Sequence, residues 1–119
     1  MTSETQETLD HSLHSFASDC NAHEKLRVMN RDWNRTIHIH ATDLNCHFTL
    51  TTQQSSVTVS AGAPDHADLV VMGDAELLTQ IFYGELSPNE PYNEGTLRLK
   101  GSEEDILRLD FVTAMLWGE

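Results

Sequence analysis

Few side chains in this sequence are placed where they could do chemistry. His38, His40 and His47 stand at alternate positions in two stretches of period-two patterning, so they fall on one face of neighbouring strands. Imidazoles within cross-strand reach can bind zinc, nickel or copper. No carboxylate or thiol at ligand spacing completes the set. No metal site is therefore expected, and His38, His40 and His47 are the residues from which one would have to be built. Cys46 and His47 are adjacent, but neighbours on a strand point to opposite faces, so they do not form a thiolate–imidazole pair. There is no nucleophile elbow, phosphate-cradling glycine loop, His-Glu-x-x-His or Cys-x-x-Cys. The expectation is a protein without catalysis and without a cofactor.

The 119 residues suit one domain spanning 1–119, with the polar residues 1–8 disordered at its start. Seven basic and 19 acidic residues leave a net charge of −12, a balance that disfavours nucleic acid and anionic leaflets as partners. Two cysteines without paired spacing read as free thiols of an intracellular, cytoplasmic protein. The polar, acidic start is no signal or transit peptide, and no apolar run reaches the roughly twenty residues of a membrane span.

The elements that must position these residues follow in order. Leu9, Leu13 and Phe16 mark one face of a helix over 3–18. Asn21 with Glu24 three residues on resembles a capping box for a short second helix, with Leu26 and Met29 buried and Trp33 as a core anchor. From Arg35 the period changes to two. Ile37, Ile39 and Ala41 oppose His38 and His40, and Phe48 and Leu50 oppose His47 and Thr49, about a turn at Asp43-Leu44-Asn45. A third strand is expected over 57–61 and a fourth over 67–72.

The stretch from Ala67 to Gly101 organises the rest. Asp74 is an N-cap, and Leu77, Leu78, Ile81 and Phe82 form the apolar side of a helix over 75–83. Gly84 suits a left-handed C-cap, and Pro88 blocks resumption of the helix. Alternation over 96–100 predicts a fifth strand. Ser102 caps a last helix over 103–117 whose first turn is acidic. Ile106, Leu107, Leu109, Phe111, Val112, Met115, Leu116 and Trp117 surround its axis, so one flank needs cover beyond the sheet. Together these elements predict an α+β domain with a largely antiparallel sheet.

The block 67–116 resembles the sterol carrier protein 2 (sterol-binding domain) family. The likeness rests on an ordered set: Pro64-Asp65 before the strand Ala67 to Val71, Glu76-Leu77-Leu78, Gly84-Glu85-Leu86-Ser87-Pro88, Gly95-x-Leu97-x-Leu99-x-Gly101, and the apolar last helix. Phe48-x-Leu50 and Val57-x-Val59 extend it upstream to about Thr36. The resemblance implies a five-stranded, largely antiparallel sheet covered on one face by helices. It also implies an apolar tunnel between sheet and helices for a fatty acyl chain, acyl-CoA, sterol or phospholipid. By the same analogy Leu77, Leu78, Ile81 and Phe82 line the tunnel, Phe48, Leu50, Leu97 and Leu99 floor it, and Phe111, Met115 and Trp117 border it. The chain departs from the family in its short N-terminal helical region, in a glycine-free turn at Gln53-Gln54-Ser55-Ser56, and in the polar loop 89–94.

The function expected is a non-catalytic lipid carrier module with an apolar lipid as its partner. The alternative is an interaction or assembly domain of the same fold with a filled core. The apolar end of the last helix around Trp117 either closes the tunnel or docks on a second copy, making a homodimer.

Overall fold

The computed structural model describes residues 4–117. A 19-residue helix α1 (Glu4–Ala22) and a short α2 (Glu24–Met29) precede strands β1 (Arg35–Ala41), β2 (Cys46–Gln53), β3 (Ser56–Ala61) and β4 (Leu69–Gly73). Helices α3 (Ala75–Phe82) and α4 (Asn89–Glu94), strand β5 (Arg98–Gly101) and helix α5 (Glu103–Trp117) complete the order. The strands form one sheet in the order β3-β2-β1-β4-β5. Every neighbouring pair is antiparallel except β1 and β4, which run parallel. The chain makes a three-stranded meander, then crosses from one sheet edge to place β4 beside β1.

Register follows the alternation of the sequence. Ile37 pairs with Leu50 and Ile39 with Phe48, which sends all four to the covered face. His40 pairs directly with His47 on the other face. The glycine-free turn between β2 and β3 holds two residues in left-handed conformation, Gln54 at φ 50° and Ser55 at φ 72°. Neighbours brace it: the Gln54 amide donates to Asn34 Oδ1 at 3.0 Å, and the Ser55 hydroxyl donates to the Arg27 carbonyl at 2.6 Å. Such contacts offset the cost of left-handed non-glycine residues.

Helices α1, α3 and α5 lie over the covered face, and the apolar core is continuous from Leu9 and Leu13 on α1 to Leu109 and Val112 on α5. The Asp74 carboxylate accepts from the Leu77 amide at 2.8 Å, and Gly84 follows α3 at φ 81°. The Ser102 hydroxyl accepts from the Asp105 amide at 3.1 Å. These three boundaries are as the residue types predict.

Other expectations are corrected. Helix α1 extends to Ala22, and Glu4 to Thr8 of the stretch expected to be disordered belong to it; residues 1–3 lie outside the described residues. The cap of α2 is His23, whose Nδ1 accepts from the Leu26 amide at 3.2 Å, rather than Asn21. Asn21 is taken by a distant strand: its side chain accepts from the Val57 amide at 2.8 Å and donates to the Val57 carbonyl at 2.9 Å. That pair of bonds satisfies an edge strand and outcompetes the local cap. Met29, expected inside, is exposed. On α5, Val112 is buried, whereas Leu107 and Phe111 are the large apolar residues that remain outside.

Candidate functional site

The site expected between sheet and helices is closed. Phe48, Leu50, Leu78, Ile81, Phe82 and Leu97 are buried in the core, and Leu77, Leu99, Met115 and Trp117 pack half-buried against it. Phe111 stands apart on the outward side of α5, 41% exposed, because its flank of the helix has no covering element. Ten of the eleven expected lining residues are thus gathered about one interior, and Phe111 is not.

Two spaces flank that packed region. An enclosed cavity of about 10 Å³ lies against Phe16, Trp33, Ile37, Leu50, Leu109 and Val112. At the surface, a groove of about 250 Å³ is lined by Gly84, Leu86, Pro88, Asp110, Ala114 and Trp117, among others. The barrier between them is aromatic. Phe16 lines the inner cavity, and its ring meets Trp117 at a centroid distance of 5.8 Å and Phe82, edge-on, at 5.1 Å. Trp117 in turn lies flat enough over Gly84 that a β-carbon there would come within 2.5 Å of its ring. Phe16 is the residue that the sequence reading did not place at the site. Its signal was only membership of the apolar stripe of α1, which says that it is buried and not what it separates.

Polar groups clamp the far end of the interior. Asp105, buried at the start of α5, accepts from the Trp33 indole N–H at 2.9 Å and from Arg35 Nε at 3.0 Å. Burial alone would raise the Asp105 pKa, but hydrogen bonds from Trp33, Arg35 and Ser102 and the charge of Arg35 outweigh it and lower it. The Arg108 guanidinium lies 5.4 Å from the Trp33 ring centroid and donates to the Met29 carbonyl at 3.1 Å. Helix α5 is therefore tied to β1 and α2 at its N-terminal end, while its C-terminal end rests on Gly84 and Phe16.

On the uncovered face the three histidines meet. His38 Nε2 and His47 Nδ1 are 2.9 Å apart, and His47 Nε2 is 3.3 Å from Asn45 Oδ1. The network is satisfied when His47 donates to Asn45 and accepts from His38. His40 stacks on His47 with ring centroids 4.3 Å apart. Desolvation, then the nearby His47 and His40, lowers the pKa of His38. No group of three or more His, Cys, Asp or Glu among the described residues is arranged to hold a metal ion. The thiols are withdrawn: burial, with Asp19 adding to it, pushes Cys20 up to about 12, and burial followed by Asp10 and Asp43 raises Cys46. Neither has the thiolate character of a reactive cysteine.

A five-stranded sheet with helices on one face and an aromatic seam between them is the architecture of a lipid-transfer domain. The chain belongs to the SCP-2 sterol transfer family, whose model matches residues 14–112. No curated protein matches the sequence. Among solved structures it is similar to the sterol carrier protein domain 2 of Helicoverpa armigera, at TM-score 0.74 and 9% identity, covering 94% of this chain and 90% of that one. It is similar to palmitated SCP2L2 from Aedes aegypti, at TM-score 0.53 and 17% identity, covering 67% and 71%. It is also similar to part of the stereoselective inverting sec-alkylsulfatase Pisa1 from Pseudomonas sp., at TM-score 0.62 and 22% identity, covering 76% of this chain. The chain spans 14% of the length of that sulfatase. At these identities the neighbours define the fold. No helix among the described residues is long and apolar enough to cross a membrane.

Proposed function

We propose that this chain is a non-catalytic carrier of an apolar lipid chain, which enters at the groove beside Trp117 and lies between sheet and helices. The observation that carries the reading is the aromatic seam. Phe16, which lines an inner cavity, is in ring contact with Trp117, which lines a surface groove of about 250 Å³. For a ligand to pass inward from the groove, these two rings would turn aside. Palmitate on a protein of the same fold supports an acyl chain as ligand class. Phe48, Leu50, Leu77, Leu78, Ile81, Phe82, Leu97, Leu99 and Met115 would then touch the ligand, with Trp117 as its outer cover. Buried, free Cys20 and Cys46 suit a reducing compartment, the cytoplasm.

Magnitudes allow it. Burying about sixteen carbons at ~0.8 kcal/mol each is worth roughly 12 kcal/mol gross. Association and ordering remove about half or more. The closed interior lowers the apparent affinity further, in proportion to the population of the open form. About 6 kcal/mol at most remains, so affinities of tens of micromolar or weaker follow without a charged anchor.

Added palmitate, palmitoyl-CoA or cholesterol should raise the melting temperature. For ligand at about one hundred times Kd the shift is on the order of 10 °C. Native mass spectrometry of protein from bacteria should show co-purified lipid. No shift with any of the three and no bound lipid would refute the reading. The second reading, an assembly domain with a filled core, is favoured by the cavity of only about 10 Å³ and by exposed Leu107 and Phe111 on α5. Trp117→Ala separates the two. Under the carrier reading it weakens lipid binding at unchanged mass. Under homodimerisation through α5 it lowers the mass seen by light scattering.

A further inference from the structure

The uncovered face of the sheet carries a group that the carrier reading does not use. His38 and His40 alternate on β1, and His47 on β2 lies directly opposite His40. His38 is therefore diagonal to His47, and its Nε2 comes within 2.9 Å of His47 Nδ1. Their rings are inclined by 32° with centroids 5.1 Å apart. All three imidazoles are half-buried, so water reaches them from the open side of the sheet.

The other nitrogen of His47 is already engaged. Nε2 stands 3.3 Å from Asn45 Oδ1, which only accepts and so takes the proton of Nε2. That tautomer leaves the Nδ1 lone pair directed at His38. A metal-ligating histidine commonly gives its second N–H to such an acceptor, which fixes both ring and tautomer. Asn45 reaches His47 from a left-handed position, φ 49°, a conformation that asparagine tolerates.

The nitrogen separation selects a coordination geometry. Imidazole nitrogen binds a first-row ion at about 2.0–2.1 Å. Two such bonds at a right angle place the nitrogens about 2.9 Å apart, against about 3.3 Å at the tetrahedral angle. The observed 2.9 Å matches the right angle. Tetragonal sites of nitrogen and oxygen suit Cu(II) and Ni(II). No third His, Cys, Asp or Glu among the described residues is arranged to join the pair, so the remaining positions fall to water. His40 lies flat on His47 instead, with 17° between the ring planes and centroids 4.3 Å apart. Cys46 precedes His47 in sequence but is buried and faces away.

We infer that His38 and His47 form a two-imidazole surface site for a divalent ion of tetragonal preference, Cu(II) or Ni(II). The ion takes the place of the proton on the line between the two nitrogens. In the metal-free protein that proton sits on His38 Nε2; on binding it passes through water to His38 Nδ1, so no net proton is released. Both rings swing outward until their lone pairs meet at the ion. Strands β1 and β2 are then cross-linked along the diagonal. The site lies on the opposite face of the sheet from the lipid space and does not depend on the carrier reading.

The test titrates the metal-stripped full chain with Cu(II), followed by electron paramagnetic resonance, and with Ni(II), followed by calorimetry. One ion per chain is expected, with copper hyperfine structure from two imidazole nitrogens and a raised melting temperature. His38→Gln and His47→Gln should each remove the two-nitrogen signal while the circular dichroism spectrum is retained. Asn45→Gly keeps the left-handed turn but frees the His47 ring, and should weaken binding on the order of tenfold. His40→Gln, and His11→Gln with His14→Gln, should leave binding nearly unchanged. Absence of copper binding, a one-nitrogen signal, equal loss in either of the last two variants, or parental affinity in Asn45→Gly overturns the inference. So does a thiolate-to-copper charge-transfer band. No lipid enters the experiment, so its failure leaves the carrier reading standing, and the reverse holds.

Discussion

Replacing Gly84 by alanine tests whether the seam between groove and cavity is held by Trp117. The substitution has two costs. Gly84 sits at φ 81°, where a β-carbon costs about 1–2 kcal/mol. An alanine β-carbon built there falls 2.5 Å from Cδ2, 2.6 Å from Cγ and 2.7 Å from Cε2 of Trp117. Carbon atoms prefer about 3.5–4.0 Å, so the ring must withdraw by roughly 1 Å. Trp117 is half-buried at the end of α5 and can retreat, which puts the overpacking term toward the low end of about 1–3 kcal/mol. Its tilted contact with Phe16 loosens as it goes. The expected loss is about 2–4 kcal/mol, measured by urea unfolding followed by circular dichroism. Acrylamide quenching should rise as well. Trp33 is only 6% exposed, so the added quenching reports Trp117. In Gly84→Ala with Trp117→Ala the clash has no partner, so the double variant should be more stable than the summed single losses imply. A Gly84→Ala protein within about 0.5 kcal/mol of the parent, with unchanged quenching and an additive cycle, refutes the reasoning.

Three further predictions concern charge. Asp105→Ala leaves the Trp33 indole N–H and the Arg35 guanidinium without their acceptor and should cost about 3–5 kcal/mol in urea unfolding; a loss under about 1 kcal/mol would show that Asp105 does not anchor α5. The Asp105 pKa is lowered from 3.8 on folding, so its contribution is present above that value and should be lost as pH falls through the folded pKa, a loss absent from the alanine variant. The His38 pKa is lowered from 6.5, so the unfolded chain takes up its proton first, and stability should decline as pH falls below about 6.5 until the folded pKa is passed. His38→Gln with His47→Gln should flatten that part of a stability-against-pH curve, and an unchanged slope would remove the cluster as its source.

The sequence by itself determined the local grammar of this protein. Alternation on both sides of the turn at 43–45 permits one strand register, because a slip of one residue would put His38, His40 and His47 in the core and Ile37, Ile39, Phe48 and Leu50 in water. Asp74, Gly84 and Ser102 mark their helix boundaries through backbone requirements that act over three or four residues. Tertiary structure decided whatever depends on which distant group arrives. Asn21 looked like a helix cap and became a clamp on β3, because an edge-strand amide and carbonyl at Val57 offered it two bonds. The parallel pairing of β1 with β4 comes from a crossover that no local period encodes. The apolar girdle of α5 announced that something must be covered, but packing chose to bury Val112 and leave Leu107 and Phe111 outside. Phe16 had the pattern of any core residue, and only its contacts with Phe82 and Trp117 place it between groove and cavity. Periodicity states which side of an element turns away from water; the space left between elements is a difference of packed volumes, and only the assembled side chains determine it.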